Sequence, residues 1–201
     1  ELISQHPNED SLLITLADLY RFQKKYDQAI KYYSDFINTK KNNLSERWRL
    51  FYLRGICYER SSQWVLAEID FLESLKLKSD SPQVLNYLAY GWLEQDLHLD
   101  RALQMLQKAY AGNPNSYYIL DSLAWAYYKN NNLDKAVQLM EEVISLAPGE
   151  AISLDHLGDI YFALNRKREA SYLWKQAKDL AEPDENITES LEKKLEEYYA
   201  G

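Results

Sequence analysis

The segment Leu120-Asp121-Ser122-Leu123-Ala124-Trp125-Ala126-Tyr127, with Ala136 nine residues further on, decides the fold of this 201-residue chain. It holds a small residue at 124, a large aromatic three places later, and a second small residue twelve places after the first. The same figure recurs in both directions. Ala67, Ala102, Ala136 and Ala170 stand 35, 34 and 34 residues apart, and Ala29 leads them by 38. Ala17, Gly55, Ala124 and Gly158 each lie twelve residues before their alanine, and Ala89 lies thirteen before Ala102. Tyr20, Tyr58, Trp92, Tyr127 and Tyr161 follow these by three. A period of about 34 residues with this pattern predicts a stack of two-helix repeats. The cause is steric. Helices crossing at about 8–10 Å need small side chains at the crossing. The aromatic fills the space between one hairpin and the next, where burial contributes about 1.5–3 kcal/mol. A single hairpin leaves an apolar face in water, so neighbours must stack.

Composition and punctuation agree. The chain is 46% hydrophobic and 27% charged, as a folded globular chain should be. Its five prolines, at 7, 82, 114, 148 and 183, all fall between units, where the missing N–H and the clash with the preceding turn do no harm. Helix pairs are predicted at about 10–22/26–40, 45–60/64–77, 82–95/99–111, 116–129/133–146 and 150–164/167–180. Asn132 before Leu133 suits an N-cap. Gly55 and Gly158 occupy close-packing positions, whereas Gly91 falls inside a helix with no reason visible in the sequence. Lys40 to Ser45 reads as a polar loop that lengthens the first interval. Nothing reads as a strand, and no apolar run reaches the roughly 18 residues that would span a bilayer.

These residues resemble the tetratricopeptide repeat (TPR), whose 34-residue unit carries Leu, small, Tyr, Ala, aromatic, Ala and Pro in fixed order. The fifth unit reads Leu154, Leu157, Gly158, Tyr161, Ala170, Trp174, Ala177; the fourth reads Leu120, Leu123, Ala124, Tyr127, Ala136, Met140, Val143, Pro148. The third reads Leu85, Leu88, Ala89, Trp92, Ala102, Leu106, Ala109, Pro114, and the first Leu13, Leu16, Ala17, Tyr20, Ala29, Tyr33, Phe36. The second departs most, with Phe51, Arg54, Gly55, Tyr58, Ala67, Phe71 and Ser74. The resemblance implies an all-α, right-handed superhelix of about five hairpins plus a C-terminal capping helix. Units are expected at about 10–47, 48–81, 82–116, 117–150 and 151–184. Ile3 and Pro7 within 1–9 read as the end of an earlier repeat, so a longer array or a processed chain is expected. Ile187, Leu191, Leu195 and Tyr198 within 185–201 fall at the helical spacing of a cap that covers the last open face.

Charge is uneven. The total is −8. Residues 182–201 carry seven acids against two lysines, and residues 21–60 carry ten Lys and Arg against four acids. Solvated helix faces explain this, and so does a polarised ribbon that orients a charged partner. Nucleic acid is not the expected partner, because duplex binding rests on Lys and Arg neutralising phosphates. Catalytic chemistry is scarce. Cys57 is the lone cysteine and reads as packed, which leaves no internal disulfide. His6, His98 and His156 lack metal-ligand spacing, and no phosphate loop, nucleophile elbow or zinc motif is present. Asn186-Ile187-Thr188 matches a glycosylation sequon of the kind that arises by chance. No enzyme, cofactor or metal site is expected.

The resemblance places recognition on the concave wall made by the first helix of each pair. The wall positions hold Asn86, Tyr90, Tyr118, Asp121, Trp125, Tyr128, Asp155, His156 and Asp159. Stacking is expected to align them as Asn86–Asp121–Asp155 and Tyr90–Trp125–Asp159, with Trp125 the foremost contact. Packing against neighbouring repeats is the alternative for each aromatic. Wall carboxylates also suit Ca²⁺, though helices leave few carbonyls free to complete its shell. The Lys and Asn clamp by which one TPR class grips chaperone tails is absent: Asp121, Asp155, Trp125 and Asp159 stand there instead. An acidic, aromatic groove suits a protein or extended peptide with basic or apolar side chains. Self-association through the tyrosine-rich helices is the rival reading. Residues 82–181 are also similar to the final repeats of a proteobacterial TPR group, through Leu85-Asn86-Tyr87-Leu88-Ala89-Tyr90, Leu120-Asp121-Ser122-Leu123-Ala124-Trp125 and Asp155-His156-Leu157-Gly158-Asp159. Some of that group are outer-membrane lipoproteins that bring cell-wall hydrolases to a periplasmic processing protease. That likeness implies a bacterial envelope adaptor.

Overall fold

The computed structural model describes residues 10–38, 47–182 and 187–200. The expected earlier repeat within 1–9, the loop at 40–45, Pro183 and the sequon residue Asn186 lie outside them. Every element among the described residues is an α-helix: α1 (Asp10–Phe22), α2 (Tyr26–Asn38), α3 (Arg47–Arg60), α4 (Trp64–Leu77), α5 (Pro82–Glu94), α6 (Leu99–Gly112), α7 (Tyr117–Lys129), α8 (Leu133–Leu146), α9 (Ala151–Ala163), α10 (Lys167–Leu180) and α11 (Thr188–Ala200). They form five hairpins, α1/α2 to α9/α10, followed by α11.

Each hairpin turns in the same way. A residue just before the second helix, the last one in every turn but the third, donates its N–H to the carbonyl of the motif aromatic five residues back: Lys25 to Tyr20 at 2.9 Å, and Gln63 to Tyr58, Leu97 to Trp92, Asn132 to Tyr127 and Arg166 to Tyr161 at 2.8 Å. The preceding residue is left-handed in every case: Lys24, Ser62, Asp96, Asn131 and Asn165, with φ between 53° and 62°. This is a Schellman closure, which satisfies carbonyls at the helix end. Three of the five are Asn or Asp, the non-glycine residues that tolerate this region best. Asn132 then caps α8, its side chain accepting the Lys135 N–H at 3.3 Å. The third turn holds one extra residue, His98, also left-handed at φ 48° and edge-on to Trp92 at 5.0 Å. That residue accounts for the thirteen-residue interval between Ala89 and Ala102.

The chain forms two compact units, Glu1–Gly91 and Trp92–Gly201, with the division inside α5. In the first, Ala17, Ala29, Tyr33, Leu50, Leu53 and Cys57 share one core. Burial pushes the Cys57 thiol up to about 12, so it is a packing group and not a nucleophile. Arg54, which replaces the leucine of the motif, lies between helices. Its Nε and Nη2 donate to buried Asp70 at 2.7 and 2.8 Å, and its Nη1 donates to Ser34 Oγ at 2.9 Å. Gly91 also finds its reason here. A Cβ at that position would stand 2.1 Å from Cη2 and Cζ3 of Trp64. In the second unit, Leu120, Ala124, Ala136, Met140, Leu157, Ile160, Ala170 and Trp174 form the core, and Ile187, just before α11, packs on it with Leu195 and Tyr198 of α11 around fully buried Leu191.

Candidate functional site

Helix α7 starts at a serine cap, Ser116 Oγ accepting the Ile119 N–H. Tyr118, Asp121, Trp125 and Tyr128 then follow at intervals of three, four and three, which places them on one face. The face meets α9 through His156. The Trp125 ring stacks on Tyr128 at 4.7 Å and on His156 at 4.1 Å. Its Nε1–H donates to Glu94 Oε1 at 3.0 Å, and Lys129 lies over the ring at 5.6 Å. His156 Nδ1 stands 3.0 Å from Asp121 Oδ2 and 3.3 Å from Oδ1. Burial opposes a charge on this imidazole. The Asp121 carboxylate and its hydrogen bond outweigh burial and hold His156 above its ordinary value.

The other acidic pair is also engaged. Lys194, from α11, places its Nζ 2.6 Å from Asp155 Oδ1 and 2.8 Å from Asp159 Oδ2. Asp159 Oδ1 accepts the Trp174 Nε1–H at 3.0 Å. Burial and the neighbouring Asp159 push Asp155 upward while Lys194 opposes them. Lys194 itself is raised: burial disfavours its charge, and the two carboxylates more than restore it. Lys129 Nζ bonds Asp96 Oδ1 at 2.6 Å.

The expected wall residues therefore divide. Trp125, Asp121, His156 and Asp155 are buried, each less than a tenth exposed, and Tyr128 and Asp159 are half-buried. Tyr118 is 42% exposed and stands edge-on to Tyr117. Asn86 and Tyr90 belong to the first unit. Asn86 is buried, and its Oδ1 has no hydrogen-bond partner among the described residues; Tyr90 is half-buried. Within the second unit the expected alignment is diagonal. Asp121 meets His156 rather than Asp155, and the Asp155–Asp159 pair meets a lysine. Sequence reasoning missed Glu94, Asp96 and Lys194. Their signal was the repeat itself, since these wall bonds join residues 31, 33, 35 and 39 apart, about one repeat. Asp121 is bonded to His156, Asp155 and Asp159 to Lys194, and Asp96 to Lys129, so among the described residues the acidity left on this face is that of exposed Glu94. No group of three or more His, Cys, Asp or Glu among the described residues is arranged to hold a metal ion, and no helix there is long and apolar enough to cross a membrane.

Five hairpins closed by one turn geometry, with small residues at the crossings and polar bonds running from repeat to repeat, define a helical-repeat protein of the interaction-scaffold class. Tetratricopeptide repeat family models match residues 14–82 and 98–154. The chain belongs to the tetratricopeptide repeat family. No curated protein matches it. Among solved structures it is similar to the Cut9 and Hcn1 hetero-tetramer of the APC/C (TM-score 0.78, 17% identity, 98% of this chain and 37% of that one). It is similar also to MamA from Desulfovibrio magneticus RS-1 (0.70, 19%, 86% and 95%). A third is YrrB, described as a TPR protein with an unusual peptide-binding site (0.65, 19%, 96% and 96%). At these identities the likeness is one of fold.

Proposed function

We propose that this chain is a non-enzymatic scaffold that binds a protein or an extended peptide on the first-helix face of its repeats. The observation that carries the reading is the state of the fourth and fifth hairpins. A Trp125–Tyr128–His156 stack is locked by bonds to Glu94 and Asp121, and beside it Tyr118 stands 42% exposed. A large aromatic on a rigid support loses little freedom on binding, and tyrosine and tryptophan dominate binding hot spots. Tyr118 is the direct contact in this reading. Asp121, Trp125, Tyr128, Asp155, His156 and Asp159 shape the face in the second unit, Asn86 and Tyr90 hold the corresponding first-helix positions in the first unit, and exposed Glu94 favours basic or apolar ligand side chains. The peptide site named for YrrB supports peptide as the ligand class. Delivery of substrates to a processing protease in a bacterial envelope is the particular role that the sequence resemblance suggests.

The test is selection of displayed random peptides on the chain, followed by titration of the winners against Tyr118→Ala. Tyr118 is exposed, so the variant keeps its fold, and affinity should drop at least about tenfold. Winners that bind both proteins equally would end the reading. Self-association is the second reading, and one observation favours it. Helix α4 exposes Val65 (69%), Ile69 (51%) and Leu66 (42%) together, where an isolated outer helix face is normally polar. Sedimentation velocity across a concentration series, with Ile69→Glu as control, decides it.

A further inference from the structure

Helix α11 is held differently from the helices before it. Leu191 is its one buried side chain among the described residues, whereas α8 buries Ala136, Met140 and Val143, and α10 buries Ala170, Ser171, Leu173, Trp174 and Ala177. Beyond Leu191, Leu195 and Tyr198 pack half-buried on the core, and two charged clamps add to them. Lys194 sits between Asp155 and Asp159 of α9, and Glu192 Oε1 meets Lys178 Nζ of α10 at 2.8 Å. Toward the C-terminus it meets α10 through Tyr199, whose ring lies 5.1 Å from Lys175 Nζ. An open groove of about 620 Å³ runs there, lined by Lys178, Glu192, Leu195, Glu196 and Tyr199. Few buried apolar contacts and an incomplete seal are the marks of a segment that opens before the rest of the fold.

The surface under α11 is specific. It offers an apolar seat for a leucine, an ammonium for a carboxylate one residue on, and two carboxylates for an ammonium two residues after that. Asp155 and Asp159 lie four apart on one helix face and repel each other unless a cation stands between them. Exposing this surface empty therefore carries a penalty that a matching helix removes. We infer that the α9–α10 end of the array is a docking socket for a partner's amphipathic helix bearing Leu-Glu-x-Lys, and that α11, with Leu191, Glu192 and Lys194, is a resident occupant that the partner displaces. The socket rests on the scaffold reading and adjoins its face: it shares Asp155 and Asp159 with that face, adds Lys178 of α10, and does not include Tyr118.

The probe is a fluorescent peptide of residues 187–201, added to the full chain and to the full chain carrying Leu191→Asp and Lys194→Glu, which empty the socket without altering it. The peptide should bind the variant at least about tenfold more tightly than the native chain, and a peptide with Lys194→Glu should bind the variant at least about tenfold more weakly than the native peptide. Equal binding to both chains, or no loss with the altered peptide, overturns the socket. If the variant chain is not fully helical by circular dichroism, hydrogen exchange on the native chain decides. The α11 amides should exchange at least about a hundredfold faster than those of α7–α10, and equal protection overturns the proposal. A native dimer that the peptide dissolves would overturn assignment to a foreign helix in favour of exchange between copies. Peptides selected at the Tyr118 face serve as an internal control. If they still bind while the α11 peptide does not, the socket alone is wrong.

Discussion

Replacing Gly91 by alanine should destabilise the protein, against the usual sign of that change in a helix. Alanine normally gains about 0.5–1 kcal/mol over glycine in a helix interior. Here the new methyl would stand 2.1 Å from two ring carbons of Trp64 and 3.1 Å from a third. The indole must retreat by more than an ångström to reach ordinary contact, and it lies within an aromatic group, 6.5 Å from the Phe71 ring. Forced repacking of this kind costs about 1–3 kcal/mol. Trp64 is half-buried, and its Nε1 has no hydrogen-bond partner among the described residues. The ring can therefore yield, which keeps the cost near the middle of that range. The net loss is about 1 kcal/mol, or a fall of about 2–4 °C in Tm for a chain of this size. Trp64→Ala removes the obstacle. In that background Gly91→Ala should stabilise by about 0.5–1 kcal/mol. Thermal melts of the four proteins, followed by far-ultraviolet circular dichroism, read the reversal directly. The reasoning fails if Gly91→Ala raises the Tm of the native chain or shifts both backgrounds alike.

Three further outcomes follow from the same packing. Ala136 is wholly buried, so Ala136→Leu should cost about 1–3 kcal/mol in urea titration; an unchanged midpoint would refute the register. Ser62 holds a left-handed conformation at φ 60°, which costs a non-glycine residue about 1 kcal/mol, so Ser62→Gly should raise the Tm slightly rather than lower it. His156 is raised above its ordinary value of 6.5 by Asp121, with Glu94 and Asp155 adding to the effect and burial opposing it. A folded-state value above the unfolded one gives a stabilising contribution that is complete below about 6.5 and is lost as pH rises through the raised value. Melts between pH 6 and 9 should therefore decline more steeply for the native chain than for His156→Gln; parallel curves would show that the pair does not titrate in this window.

The fold was readable because its signals are steric and periodic. Small residues at 17, 55, 89, 124 and 158, aromatics three places on, and prolines between units gave helix bounds that agree with the described helices to within two residues. The turns were less legible. Their left-handed residues are Lys, Ser, Asp and Asn rather than glycine, so the usual helix-stop letter is missing. Gly91 could not be explained from sequence because Trp64, its neighbour in space, sits 27 residues away with no pattern linking the two. The wall was found as a face but not as a set of bonds. Periodicity tells which way a side chain points. It does not tell whether a carboxylate on that face meets a ligand or a histidine one repeat along.

That last difference bears on what the wall is for. A carboxylate on an inner face reads as recognition chemistry only while it is unpaired. Asp121 of α7 is paired with His156 of α9, and Asp155 and Asp159 of α9 with Lys194 of α11. Removing one member of a buried pair leaves the other uncompensated, and the fold bears the cost. Substitutions at Trp125, Asp121 or His156 will therefore lower stability and binding together, and loss of a partner from such a variant cannot by itself locate a contact. Tyr118 is different. It lies on the same face two turns from Trp125 and is 42% exposed, so its loss should leave the Tm nearly unchanged. A binding defect in Tyr118→Ala with native stability is the result that separates an aromatic that recognises from one that supports.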